Sequence, residues 1–184
     1  MHISTFIVDN FYEDVDSVRQ FALDQDFNIV GNFPGARTKS FWTQSAKDII
    51  ESIIAPKFGS ITYWPDEYNG AYQITTAENR SWIHSDGETK WAGVVYLTPN
   101  APLSSGTGFY RHKATGLTEP NSNKGEWDNE AQDVTKWELV SQIGNVYNRL
   151  ILYRGKQFHT SMDYFGNDMT TGRLFQTFFF STES

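Results

Sequence analysis

Three positions carry residue types that could act together on a metal ion: His84 and Asp86, within Arg80-Ser-Trp-Ile-His84-Ser-Asp86, and His159 far downstream. If the short apolar run leading into His84 is a strand, His84 and Asp86 stand two residues apart and point to the same face. Imidazole and carboxylate from one strand end, joined by a second imidazole from another strand, make a 2-His-1-carboxylate face that leaves positions open on Fe(II). A fourth residue, Arg173, opens the run Arg-Leu-Phe-Gln-Thr-Phe-Phe-Phe. Period-two alternation puts Arg173, Phe175, Thr177 and Phe179 on one face. A guanidinium there needs an anionic partner to offset its desolvation, and a bound dicarboxylate would supply one through two parallel hydrogen bonds. His112 competes for the third ligand position, but it stands near the start of a polar loop and reads as a surface residue. His2 is set aside.

The elements that must position these groups divide the chain in two. Residues 2–8 read as an opening strand. Asn10-Phe-Tyr-Glu13 looks like a capping box before a helix with Phe11, Val15, Val18 and Ala22 on one face. A second box, Ser45-Ala-Lys-Asp48, opens a helix with Ala46, Ile49, Ile50, Ile53 and Ile54 at helical spacing, until Pro56 stops it. Between the helices, Phe33-Pro-Gly-Ala-Arg37 reads as a turn with a solvated arginine; the competing assignment puts Arg37 at the rim of the site as a substrate contact. From residue 60 the texture changes to short strands at 61–64, 70–76, 80–84, 91–98 and 106–112, and later at 148–153, near 157–160, and at 173–181. A short amphipathic segment is expected around 134–140. Residues 113–130 are too polar and turn-rich for a core element and long for a connection, and are expected to form a lid or insertion loop with Trp127 as a substrate contact.

Length and composition bound the rest. A chain of 184 residues should form one domain, and it can bury roughly 70% of its unfolded surface without disulfides or a structural metal. The expected division of that single domain is 1–58 as helical support and 60–181 as a β core. A net charge of −7 without any basic run argues against nucleic acid as a partner. The absence of cysteine removes zinc-finger, iron–sulfur and thiol-nucleophile chemistry. No signal peptide or run of ~20 apolar residues is present, which points to a soluble, cytoplasmic protein with no membrane partner and leaves the Asn79-Arg80-Ser81 sequon idle. There is no Gly-x-Ser-x-Gly elbow and no phosphate-binding glycine loop.

The order His84-x-Asp86, then His159, then Arg173 at the start of the following strand resembles the Fe(II)/2-oxoglutarate-dependent dioxygenases, in particular the prolyl 4-hydroxylase-like branch. Trp91-Ala-Gly-Val-Val-Tyr-Leu-Thr98 fits the apolar strand that follows the motif in that family, and Gly106-Thr-Gly-Phe109 fits its glycine-rich strand entry. The Pro-Gly-Ala-Arg turn is also similar to one in a group of small oxygenase-like proteins. The resemblance implies a mainly β fold with N-terminal helices, a double-stranded β-helix (jelly roll, cupin-like). It implies that His84, Asp86 and His159 bind Fe(II), and that Arg173 holds the distal carboxylate of 2-oxoglutarate with help from Tyr72 and Thr177. Phe175 stands where the family often has a hydroxyl residue. The activity so implied is oxygenation, with O2, of a C–H bond in a peptide, amino acid or small metabolite. Two alternatives are a cupin-like metalloenzyme without 2-oxoglutarate, which would not need Arg173, and a non-catalytic jelly-roll binding module, which would not need His159.

Overall fold

The computed structural model describes residues 4–121 and 126–184; positions 2–3 of the expected first strand and 122–125 of the expected loop lie outside them. Strand β1 is Thr5–Val8. Helix α1 (Val15–Leu23) starts later than the box at 10–13 suggests. Asn10 adopts a left-handed conformation, and it is the Asp14 carboxylate that accepts from the Ser17 backbone N–H at 3.0 Å. Strand β2 is the pair Ala36–Arg37, so the expected solvated turn is instead a sheet edge. Helix α2 (Gln44–Phe58) is capped by Thr43, whose hydroxyl accepts from the Ala46 N–H, rather than by Ser45. Pro56 lies inside its last turn without ending it. A proline there forfeits a single backbone bond, and the helix stops at Gly59, whose φ of 74° suits glycine.

The strands follow as β3 (Ile61–Tyr63), β4 (Ala71–Thr75), β5 (Trp91–Tyr96) and β6 (Thr107–His112), then the short helix α3 (Glu126–Glu130). A 3-10 turn over Val134–Lys136, in place of the expected amphipathic segment, leads into β7 (Trp137–Ile143), and β8 (Leu150–Arg154), β9 (His159–Ser161) and β10 (Arg173–Thr182) complete the series. Residues 80–83, expected as strand, are not one. Asn79 Oδ1 accepts from the Thr76 N–H and turns the chain, and only His84 makes a bridge, to His159.

Two antiparallel sheets face each other. The larger has the order β1-β8-β5-β10-β4-β2, with β3 also pairing with β10; the smaller is β7-β6-β9, continued by the His84–His159 bridge. Strands β1 and β2 therefore bring the N-terminal segment into the large sheet, beyond its role as helical support. Alternation along the central strands decides what each face does. Leu174, Phe178 and Phe180 of β10, Val95 of β5 and Leu152 of β8 join Ala22, Ala46, Ile50 and Ile54 of the helices in one core. Phe175 of β10, Tyr96, Val94 and Ala92 of β5 and Tyr153 of β8 meet Phe109 and Ile143 of the small sheet in a second. The cavity opens within that second layer. This is a jelly roll with helices on one side, as the sequence implies.

The 113–130 stretch is placed differently from the expected lid. Its described part packs on the outer face of the small sheet, where Trp127 is buried with Ile83, Tyr110, Trp137 and Phe158. His112, expected at the surface, is completely buried beneath it. Burying aromatic rings offsets the polarity of the loop: an indole such as Trp127 removes on the order of 200 Å² from water.

Candidate metal centre and cavity

The three candidate ligands are gathered by backbone bonds from a different part of the chain. His84 and His159 exchange N–H···O bonds of 3.0 and 2.9 Å, and the Asp86 N–H donates to the Gly155 carbonyl at 2.7 Å. Gly155 permits this approach, since a Cβ there would lie 3.0 Å from the Asp86 carbonyl oxygen and 2.7 Å from that of Thr89. His84 and Asp86 thus share a side because both are pinned to the segment around His159, not because they lie on a regular strand.

The side chains then converge. His159 Nε2 is 3.3 Å from Asp86 Oδ2 and His84 Nε2 is 3.8 Å from Asp86 Oδ1, and one ligand atom from each residue lies within 4.8 Å of the others. Both outer ring nitrogens are engaged in the same way: His84 Nδ1–H donates to the Trp82 carbonyl at 2.9 Å, and His159 Nδ1–H to the Gln157 carbonyl at 2.7 Å. That arrangement fixes the tautomer and turns both Nε2 lone pairs inward, as metal-binding histidines require. Two ligand atoms on adjacent positions of a first-row metal ion lie ~3.0 Å apart, given bonds of about 2.1 Å, so the spacing suits an ion. Burial, reinforced by His159, pushes the His84 imidazole down to about 4, against the pull of Asp86. Burial acts to raise the Asp86 carboxyl, but the two imidazoles outweigh it and hold it below its ordinary value. Neutral imidazole beside ionised carboxylate is the donor set a divalent cation needs. The side-chain exposures of 5% for His159, 22% for Asp86 and 35% for His84 put the open side over His84.

The centre lines a cavity of about 430 Å³ whose walls include Arg37, Gln73, Thr107, Tyr153, Ser161 and Thr177. Tyr153 packs edge-on against His159 with ring centroids 4.7 Å apart, and burial pushes its phenol far up, so the hydroxyl stays protonated beside Asp86. Alternation along β8 could have found Tyr153, because it has the parity of Ile151; Gln73, Thr107 and Ser161 depend on strand register, which the sequence does not display.

Arg173 sits one interior position before Phe175 and is fully buried. Its Nε donates to the Ser105 carbonyl at 2.8 Å and Nη2 to the Gly106 carbonyl at 3.3 Å, while Nη1 is buried without a partner. Gly106 is required, because a Cβ would strike the Ile143 carbonyl at 1.8 Å. The rings of Phe175 and Tyr96 flank the guanidinium at 4.4 and 5.4 Å from their centroids, so it stands behind the cavity wall rather than in it. Among the described residues no carboxylate pairs with it. An unanswered buried cation of this kind fits a carboxylate ligand.

The remaining candidates separate. Thr177 lines the cavity, with its hydroxyl directed to the Ala71 carbonyl at 3.4 Å. Tyr72 does not: it stands opposite Gln176 and packs in the helix-side core with Phe21 and Phe41, on the far face of the sheet from Arg173. Trp127 lies in the outer cluster and lines no part of this cavity. Arg37 lies on its wall.

Residues 2–180 match the model of DUF6445, a family of unknown function. No curated protein matches the sequence. Among solved structures, the chain is similar to HygX from Streptomyces hygroscopicus with nickel, 2-oxoglutarate and hygromycin B bound, at 10% identity and a TM-score of 0.64, over 95% of this chain and 81% of HygX. It is similar to SnoK, a non-heme alpha ketoglutarate dependent carbocyclase from nogalamycin biosynthesis, at 10% identity and 0.62, over 97% and 79%. A prolyl hydroxylase from Trichoplax adhaerens, in complex with a hypoxia inducible factor peptide fragment, matches at 13% identity and 0.53, over 96% and 83%. At these identities the likeness concerns the fold alone. No helix among the described residues is long and apolar enough to cross a membrane.

Proposed function

The chain belongs to DUF6445, a family of unknown function, so its activity has to come from the site; we propose that it is an Fe(II)- and 2-oxoglutarate-dependent oxygenase that hydroxylates a C–H bond of a peptide, amino acid or small metabolite. The observation that carries this reading is the convergence of His84 Nε2, His159 Nε2 and the Asp86 carboxylate, with both Nδ1 atoms already engaged by backbone carbonyls. Fe(II) held there would supply oxidation chemistry in which O2 and 2-oxoglutarate give succinate, CO2 and a hydroxylated product.

The chain's own residues have separable tasks. His84, Asp86 and His159 would hold the metal, and His84 is the most exposed of the three. Arg173 would hold the distal carboxylate of 2-oxoglutarate, its Nη1 being unpartnered while Nε and Nη2, bound to backbone carbonyls, keep the guanidinium fixed. Phe175, whose ring the guanidinium faces at 4.4 Å, is on the cavity wall, so Arg173 lies one side chain away from that space. Phe109 and Tyr153 pack around His159 and keep water from its far side. The test is Fe(II)-dependent formation of succinate from 2-oxoglutarate in air, followed by mass spectrometry. Asp86→Ala should abolish it; a variant that still forms succinate at the wild-type rate would contradict the assignment.

A further inference from the structure

Arg37, unlike Arg173, lies on the cavity wall itself, and the register of the large sheet fixes which face it is on. Arg37 stands opposite Gln73, Gln73 opposite Phe175, and Phe175 opposite Tyr96, so the four form one row across three strand boundaries. Directly opposed residues share a face, and this row faces the cavity. The guanidinium is held on one edge and one side. Its Nε donates to Gln73 Oε1 at 2.7 Å, Gln73 Nε2 in turn donates to the Pro34 carbonyl at 2.6 Å, and the Phe33 ring lies 4.0 Å from Cζ. Among the described residues, Nη1 and Nη2 have no acceptor and no carboxylate lies within 4.0 Å of the group. Burial pushes its pKa down to about 10, with Asp86 and Tyr153 opposing the shift, so it is charged at neutral pH.

A mostly buried cation with its two-nitrogen edge free matches the two oxygens of a carboxylate. The nearby negative charge on Asp86 does not serve this purpose in the loaded site, because a metal ion takes it up. Glu88, also on the wall, is exposed and forms no pair with Arg37. Nor is the position a duplicate of Arg173. That residue lies one interior row further in and behind Phe175, whereas Arg37 stands beside Asn32, Phe33 and Pro34 at the rim. The Phe33 ring lies against it, and the cavity wall further along carries the rings of Tyr63, Tyr68, Trp82 and Phe179.

We propose that the substrate is a small carboxylic acid with an apolar, ring-sized body, its carboxylate gripped by Nη1 and Nη2 of Arg37 and its body against the aromatic side chains of the cavity wall. Gln73 is the positioning residue that presents this edge. The proposal rests on the oxygenase reading for the metal and cosubstrate, but the anion site itself is a property of Arg37.

The experiment is calorimetric titration of the protein, loaded with Ni(II) and saturating 2-oxoglutarate, with phenylacetate, 3-phenylpropionate and 4-phenylbutyrate, each beside its primary amide. At least one acid should bind about 10- to 100-fold more tightly than its amide, the span of a charge-assisted pair. Arg37→Gln should erase that preference while still taking up Ni(II) and 2-oxoglutarate, and Arg37→Lys should keep part of it. Equal affinity for acid and amide, no binding of any acid, or a preference that survives in Arg37→Gln overturns the proposal. Loss of 2-oxoglutarate binding in Arg37→Gln overturns it too, by making Arg37 the cosubstrate anchor. The same titrations on metal-free protein separate the two levels: if wild type fails to load Ni(II) and 2-oxoglutarate, the oxygenase reading fails, while an Arg37-dependent preference there still upholds the anion site.

Discussion

His112 and His159 lie on neighbouring strands of the same small sheet, both buried and both against an aromatic ring, yet their nitrogens are used differently. His112 has a closed set of partners: Nδ1 meets the Thr115 hydroxyl at 3.0 Å and Nε2 meets Glu130 Oε2 at 2.7 Å, while the ring packs on Trp137. His159 spends Nδ1 on a backbone carbonyl and directs Nε2 to Asp86 at 3.3 Å, where His84 Nε2 also arrives. The first is a two-member hydrogen bond that holds the covering loop to the sheet. The second is a three-member convergence at separations longer than that bond, with space between the donors. Burial beside a carboxylate therefore does not distinguish a structural histidine from a ligand; the number of converging groups and the gap they leave do.

The comparison can be tested from both sides. Asp86→Ala has the largest expected effect: with the only carboxylate of the triad removed, Fe(II) affinity should fall more than ~100-fold, as measured by anaerobic titration. Arg173→Ala should leave the metal in place and weaken 2-oxoglutarate binding by roughly 10- to 100-fold, the worth of a charged hydrogen-bonded contact, read by calorimetry on the Ni(II) form. His112→Ala should do the reverse of both, costing about 2 kcal/mol of stability in urea unfolding with metal affinity unchanged. If His112→Ala lost the metal instead, the distinction between the two histidines would fail.

The smallest effect is a pH dependence. In the metal-free protein His84 stays neutral down to about 4, whereas the unfolded chain takes up that proton near 6.5, so the unfolded state binds more protons between these values. Stability should accordingly be fully held above about 6.5 and decline as pH falls towards 4. Across that window the urea midpoint of wild type should fall relative to that of His84→Leu as pH drops from about 6.5 towards 4; parallel curves would count against a depressed His84.

Much of the site is legible in the chain because it depends on short-range signals. The His84-x-Asp86 spacing, His159 after an apolar strand, and the alternation that puts Arg173 and Thr177 on one face of β10 are all local. What is missed depends on register or on distant partners. Tyr72 and Gln73 are adjacent in a strand buried on both faces, so nothing in Ala-Tyr-Gln-Ile-Thr says which one faces inward until β10 is aligned beside it. Arg37 follows a Pro-Gly turn that looks exposed, but a two-residue pairing with β4 turns it into the cavity. The 113–130 stretch reads as a free lid because its charges and turn residues are visible, while the partners of Trp127 and His112 come from elsewhere in the chain. The helix starts are displaced for a simpler reason: several polar residues in a row can cap, and Asp14 and Thr43 are the ones whose side chains reach a free N–H.

The most direct test of the metal and cosubstrate assignment is anaerobic addition of Fe(II) and then 2-oxoglutarate to the metal-free protein, watching for the weak visible charge-transfer band of a chelated iron–oxoacid complex. The band should appear in wild type, be absent in Asp86→Ala, and need far more 2-oxoglutarate in Arg173→Ala. Iron that binds without the band would contradict the account in favour of a metalloenzyme that does without 2-oxoglutarate, and no iron binding at all would leave only a binding module on the same fold.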